Sequence, residues 1–98
     1  MKNYYGKKVL VRGIQSGVYF GTLIERNGQE VEMKDVRNLW RWNGANTLLD
    51  LAENGARKTS DCRFSNKVDS IVLTDVCEIV PCSDEAIANI EGVSEWTY

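Results

Sequence analysis

Residues 36–42, "VRNLWRW", concentrate two arginines, two tryptophans and an asparagine in seven positions of a 98-residue chain that holds three tryptophans in all. Arginine presents a planar fork of donors that suits phosphate oxygens and also stacks on flat rings. Arg37 and Arg41 beside the Trp40 indole, with Asn38 between them, are therefore candidates for gripping a flat, negatively charged ligand such as a nucleotide. On an extended strand Arg37, Leu39 and Arg41 share one face, and Val36, Asn38, Trp40 and Trp42 share the other. The competing reading buries Trp40 and Trp42 against a helix and leaves the arginines solvated, paired with Asp35 or Glu32.

A second candidate is "DCRFSNK", where Arg63 and Phe64 stand together in a polar stretch expected to be a loop. An aromatic ring in such a loop can stack on a purine, a contact worth about 1–3 kcal/mol per base in single-stranded nucleic-acid binders. The alternative is an anchor that pins the loop to the sheet. Gly13, Gly17 and Gly21 admit close backbone approach to a ligand or mark β-bulges, and their spacing matches no phosphate-loop or dinucleotide fingerprint.

The chain contains no histidine, which removes Ser-His-Asp and Cys-His catalysis and Cys/His zinc sites together. Cys62, Cys77 and Cys82 are odd in number and form no CxxC pair, so they read as reduced thiols serving as small buried hydrophobes. Acidic residues are plentiful but none joins a nucleophile or a ligand set in a recognisable motif. Binding without turnover, with no cofactor and no metal, is the expectation.

Positioning these residues falls to an α+β domain, read as a mostly antiparallel sheet with two short helices. Residues 7–13 and 17–26 are β-type runs joined by a short connection. Asn27-Gly28 offers a type I′ turn, and the next run alternates Val31 and Met33 with Glu30, Glu32 and Lys34, so the hairpin has one wet face. "TLLDLAENGA" reads as a helix capped by Thr47, with Asp50 in a capping-box position, Gly55 at its end and Leu48, Leu51 and Ala52 turned inward. "VDSIVLTDVCEIVPC" supplies one or two strands with Ile71, Leu73, Val76, Ile79 and Val80 as core candidates, terminated by Pro81. A last helix follows over "SDEAIANIEG", with Ser83 as N-cap and Ile87 and Ile90 as the buried stripe.

The composition supports one globular domain over residues 1–98, with 43% hydrophobic and 27% charged residues. A net charge of −2 argues against a general DNA or RNA binder, and no apolar run is long enough to cross a bilayer. The first residues lack a signal-peptide pattern, so a cytoplasmic location and no membrane partner are expected.

"VLVRGIQSGVYFGTL", "RNGQEVEMKDVRNLWRWNGANTLLDLAENG", "CRFSNKVDSIVLTDVCEIVPCSDEA" and the terminal "VSEW" resemble, in order and spacing, the phage anti-defence sponges that inhibit the bacterial Thoeris system, of the first-described type. The resemblance runs over roughly residues 9–96. It implies a protein that binds the cyclic ADP-ribose isomer made by a TIR-domain sensor and holds it uncleaved. It further implies homo-oligomers, dimers or trimers of dimers, with pockets at subunit interfaces, some members also holding cyclic di- or trinucleotides. By matching position, Arg37 would contact the pyrophosphate or ribose region and Phe64 would stack on adenine, while Trp40 and Trp42 would support the pocket and the core.

This sequence departs from the pattern in having Asn38 after Arg37 where a second arginine is expected, Arg41 where an aromatic is expected, and no arginine after Arg63. Those departures bear on ligand identity. The rival expectation from another class is a protein-interaction module that blocks a host defence enzyme through its aromatic surface, and a third is a nucleotide-cleaving enzyme.

Overall fold

The computed structural model describes residues 1–97 and is an α+β domain, as the sequence pattern predicts. Its strands are β1 (Lys8–Gly13), β2 (Gly17–Asn27), β3 (Glu30–Arg41), β4 (Arg63–Phe64), β5 (Val68–Leu73) and β6 (Val76–Pro81). Helix α1 (Leu48–Asn54) lies between β3 and β4, and α2 (Asp84–Gly92) follows β6. Every strand pairing is antiparallel, in the order β4-β3-β2-β1-β6, with β5 also paired to β3.

The long strand β3 organises the sheet. One edge runs along β2, while the other is shared between β5, opposite Val31 to Val36, and β4, opposite Leu39 and Arg41. Strands β5 and β6 therefore pair at opposite ends of the strand order, yet only Thr74 and Asp75 separate them. Three Cα steps span at most about 11 Å, so the sheet must roll up to bring those ends together. The rolled interior holds a core built from strands alone: Val9, Val11, Leu23, Val31, Met33, Val36, Leu73 and Val76.

The outer face of the roll carries Leu10, Val18, Phe20, Leu39 and Phe64, and both helices cover it. Strand alternation explains the division along β1, where Val9 and Val11 face inward and Leu10 outward. On β3 the alternation breaks first at Asp35 and again at the register shift between Leu39 and Arg41. Asp35 takes a left-handed conformation (φ 52°), and Asp35 and Val36 together oppose the single residue Gly21, which makes a β-bulge. The bulge shifts the phase, so Met33 and Val36 share the inner core while Arg37 and Leu39 are buried on the helix side. Gly21 answers the same constraint, since a Cβ there would lie 2.9 Å from the Lys34 carbonyl oxygen.

Both helices start as their sequences predict. The Thr47 hydroxyl accepts from Asp50 N–H at 3.0 Å, and the Ser83 hydroxyl accepts from Ala86 N–H at 3.0 Å. The Asp50 carboxylate reaches back to Asn46 N–H at 2.9 Å and receives both terminal nitrogens of Arg57. Leu48, Leu51 and Ala52 face the sheet, and Gly55 (φ 76°) ends α1 where a side chain would strike Asn89. Asn89 clasps the backbone of Ala56 with two bonds, 2.8 and 2.9 Å, and so ties α2 to the chain leaving α1.

Three expectations need correction. The β2–β3 turn is Gly28-Gln29, one residue later than the Asn27-Gly28 pair, because Asn27 pairs with Glu30 in the ladder and only Gly28 (φ 61°) takes positive φ. The polar stretch after α1 is not all loop: it contains a 3-10 turn, Thr59–Asp61, and strand β4. Of the cysteines, Cys62 is buried, Cys82 is half-buried with its thiol pushed up to about 12 by burial, and Cys77 is exposed on β6. Among the described residues no helix is long and apolar enough to cross a membrane.

Candidate functional site

The structure divides the six candidate residues into a buried group and a group that reaches solvent. Arg37 belongs to the first, at 7% exposure. Its Nε donates to the Ser65 carbonyl at 2.9 Å, and its Nη1 donates to the carbonyls of Ile90 and Val93 at 2.9 and 2.8 Å. The last two lie at the C-terminal end of α2, where carbonyls lack intrahelical partners and a cation is favoured. Arg37 thus rivets α2 to the sheet. Burial lowers its pKa from the usual arginine value, with Glu95 opposing the shift.

Phe64 is fully buried, with the Arg37 guanidinium 5.4 Å from its ring centre. A ring with 0% exposure has no face open to an adenine, so in this structure Phe64 is a core residue that anchors β4 beneath α2. Asn38 is half-buried, its backbone N–H donating to the Ser65 hydroxyl at 2.8 Å. The cavity nearest Arg37, about 230 Å3, is lined by Asp35, Glu91 and Glu95 as well as Arg37 and Lys67, so carboxylates outnumber cations there.

The other group reaches solvent: Trp40 and Arg41 are exposed, and Arg63 is half-buried. Trp40 is 61% exposed and stacks on Trp96, with ring centres 5.2 Å apart and planes within 5°. Trp42 instead is half-buried against the helix-side core. The Arg63 guanidinium lies 5.5 Å from the Trp40 ring centre and 5.1 Å from that of Trp96, so it caps both indoles at once. Arg41 and Arg63 are direct partners across the β3–β4 ladder. The ion pairs among the described residues are Lys8–Glu91, Arg12–Glu78 and Arg57–Asp50, and neither Arg41 nor Arg63 joins one.

The roles expected within "VRNLWRW" are thereby exchanged. Arg37 packs, whereas Trp40 faces solvent beside two arginines that join no ion pair among the described residues. The reason lies in the Asp35 bulge, which turns Arg37 toward α2, and in the register shift between Leu39 and Arg41 at the end of the β3–β4 ladder.

Trp96 is the residue that reading for site chemistry overlooked. It reaches Trp40 because the chain after α2 runs back along β4: Glu95 bridges to Phe64 in parallel, and Trp96 N–H donates to the Phe64 carbonyl at 2.9 Å. The available signal was an indole in a polar tail, "VSEWT", that follows the last helix and has no apolar periodicity to demand its burial.

Beside the indole pair, Arg41, Ser60, Asp61, Cys62, Arg63 and Trp96 line a recess of about 290 Å3. Here two cations face one carboxylate. A platform of exposed indoles next to a cationic recess can hold a flat ligand that carries negative charge. Among the described residues no group of three His, Cys, Asp or Glu side chains is placed to hold a metal ion.

No curated protein and no solved structure matches the chain. Residues 6–90 match the family model described as a domain of unknown function (DUF6948). That segment contains Trp40, Arg41 and Arg63 and ends before Trp96. With most of its length matched, the chain belongs to the DUF6948 family.

Proposed function

We propose that this protein sequesters a cyclic nucleotide signal without cleaving it, on the face formed by Trp40, Trp96, Arg41 and Arg63. The observation that carries the reading is the exposed, parallel indole pair capped by an arginine that joins no ion pair among the described residues. Stacking supplies affinity for a base, and the arginines supply affinity for its phosphates. The resemblance to Thoeris-inhibiting sponges names the signal class, a cyclic ADP-ribose isomer or a cyclic di- or trinucleotide. The same resemblance supports a location in the cytoplasm of an infected bacterial cell and a homo-oligomeric assembly. Withholding a signal present at low concentration needs a nanomolar Kd, about −12 kcal/mol, which one stacked base and one arginine contact do not reach alone. Enclosure of the ligand by a second copy of the chain makes up the difference in this proposal.

The test is isothermal titration of the purified protein with cyclic ADP-ribose isomers and cyclic di- and trinucleotides, followed by heat release and mass analysis of the bound molecule. Tight binding and an unchanged ligand mass support sequestration. A new product mass would replace it with nucleotide cleavage. Absence of binding to every member of the panel would move the aromatic face to the second reading, direct protein–protein inhibition of a host enzyme, which its exposed Trp40 and Trp96 also suit.

A further inference from the structure

Resting on the reading of this face as a nucleotide site, the geometry points to a division within it: we infer that Arg41, Arg63 and Ser60 receive a phosphate group of the nucleotide whose base lies on the Trp40–Trp96 pair. Three observations converge on this assignment. Like charges placed directly opposite one another on neighbouring strands repel, and Arg41 and Arg63 are such partners in the β3–β4 ladder. No ion pair relieves them among the described residues, and the nearby Asp61 carboxylate has Asn43 Nδ2 at 3.5 Å. A phosphate shared by the two forks removes the repulsion and gives each arginine its preferred partner.

The second observation is position. Arg41, Arg63 and Ser60 line the same recess, and a wall of that recess is Trp96, one half of the indole pair. The third is that Arg63 belongs to both parts, since its guanidinium caps the two indoles while it borders the recess. Base and phosphate subsites are therefore adjacent, joined by one side chain, as a nucleotide requires of its base and its own phosphate. A nucleoside would leave the recess unfilled, and inorganic phosphate would leave the platform uncovered.

The ligand class that follows is a nucleotide with a phosphate close to its base. A long single strand is disfavoured, because the chain carries a net charge of −2.

Intrinsic tryptophan fluorescence reads the site directly, because the stacked, exposed pair is two of the three indoles in the chain. The probes are adenosine, AMP and inorganic phosphate, titrated into the full chain and into Arg41→Ala, Arg63→Gln and Trp40→Ala, each variant first checked by its thermal unfolding. AMP is expected to quench saturably with a Kd at least 10-fold below that of adenosine, and phosphate is expected to compete weakly with AMP. Arg41→Ala should abolish the preference for AMP while leaving the adenosine affinity unchanged, whereas Trp40→Ala should weaken both ligands alike. Equal affinities for AMP and adenosine, or a preference that survives in both arginine variants, would overturn the phosphate assignment and leave the base platform standing. No quenching by either ligand would overturn the platform and the phosphate subsite together.

Discussion

Arg37 and Trp40 stand three positions apart and have opposite tasks, which mutations separate. Arg37→Ala removes the donor for three carbonyls, two of them at the end of α2. Losing three hydrogen bonds from a charged donor is expected to lower the unfolding free energy by about 3 kcal/mol, read as a reduced urea midpoint. Had Arg37 been a free ligand-gripping side chain, as its place in the resemblance implies, the same change would weaken binding and spare stability. Trp40→Ala is expected to do that instead. Losing a stacked base costs about 1–3 kcal/mol, so affinity for a bound nucleotide should fall roughly 10-fold or more with the urea midpoint nearly unchanged. A lowered midpoint with unaltered affinity would return Trp40 to a packing role.

At the scale of elements, the bulge in β3 decides which side chains reach the surface. It depends on Gly21 in β2, where a Cβ would lie 2.9 Å from backbone oxygen and 3.1 Å from Val36. Gly21→Val is accordingly expected to destabilise the domain by about 2 kcal/mol or more and to alter the β2–β3 register, seen as lost amide protection along β3. The caps are simpler. Thr47→Ala removes one accepted bond at the start of α1 and is expected to cost about 1 kcal/mol, measured by thermal unfolding. That cap was legible in "TLLD", because capping is a local interaction between residues a few positions apart. The strand in "CRF" was not legible, since two residues show no periodicity and pair only because β3 and the chain after α2 lie on either side of them.

For the whole molecule, the closing contact of the rolled sheet is made by Asp75. Its carboxylate accepts from the backbone N–H of Gln15 and Ser16 and from the Ser16 hydroxyl, at 2.7, 3.0 and 2.7 Å. Its carbonyl accepts from Ile14 N–H at 2.9 Å, and the next residue, Val76, donates to Gln29 at 3.1 Å. Three connections, β1–β2, β2–β3 and β5–β6, are thus joined at one end. These donors favour the ionised carboxylate, the largest contribution coming from Gln15 N–H, and hold the Asp75 pKa below the usual aspartate value. The unfolded chain then binds the proton more readily than the folded one. The contribution of Asp75 is complete above its unfolded pKa, near about 4, and is lost as pH falls through the lower folded value. Melting temperature should therefore decline as pH falls below about 4, and Asp75→Asn should lower it at neutral pH while flattening that decline. An equally steep acid decline in the variant would assign it to other carboxylates, of which Asp50, held low by Arg57, is the first to try.

By itself the sequence determined the fold class, the two helices with their caps, the wet and dry faces of the β2–β3 hairpin, and the presence of arginine and tryptophan where a ligand face could be built. Each of these rests on interactions within a few residues or on a period of two or about four, which a linear pattern carries. The tertiary structure alone decided which of those side chains face solvent. One left-handed residue, Asp35, re-phases the end of β3, and the tail after α2 brings Trp96 across more than fifty positions of sequence to lie on Trp40. Neither event has a periodic signal, because a bulge is a break in the pattern and a stacked pair is set by where two distant backbones meet.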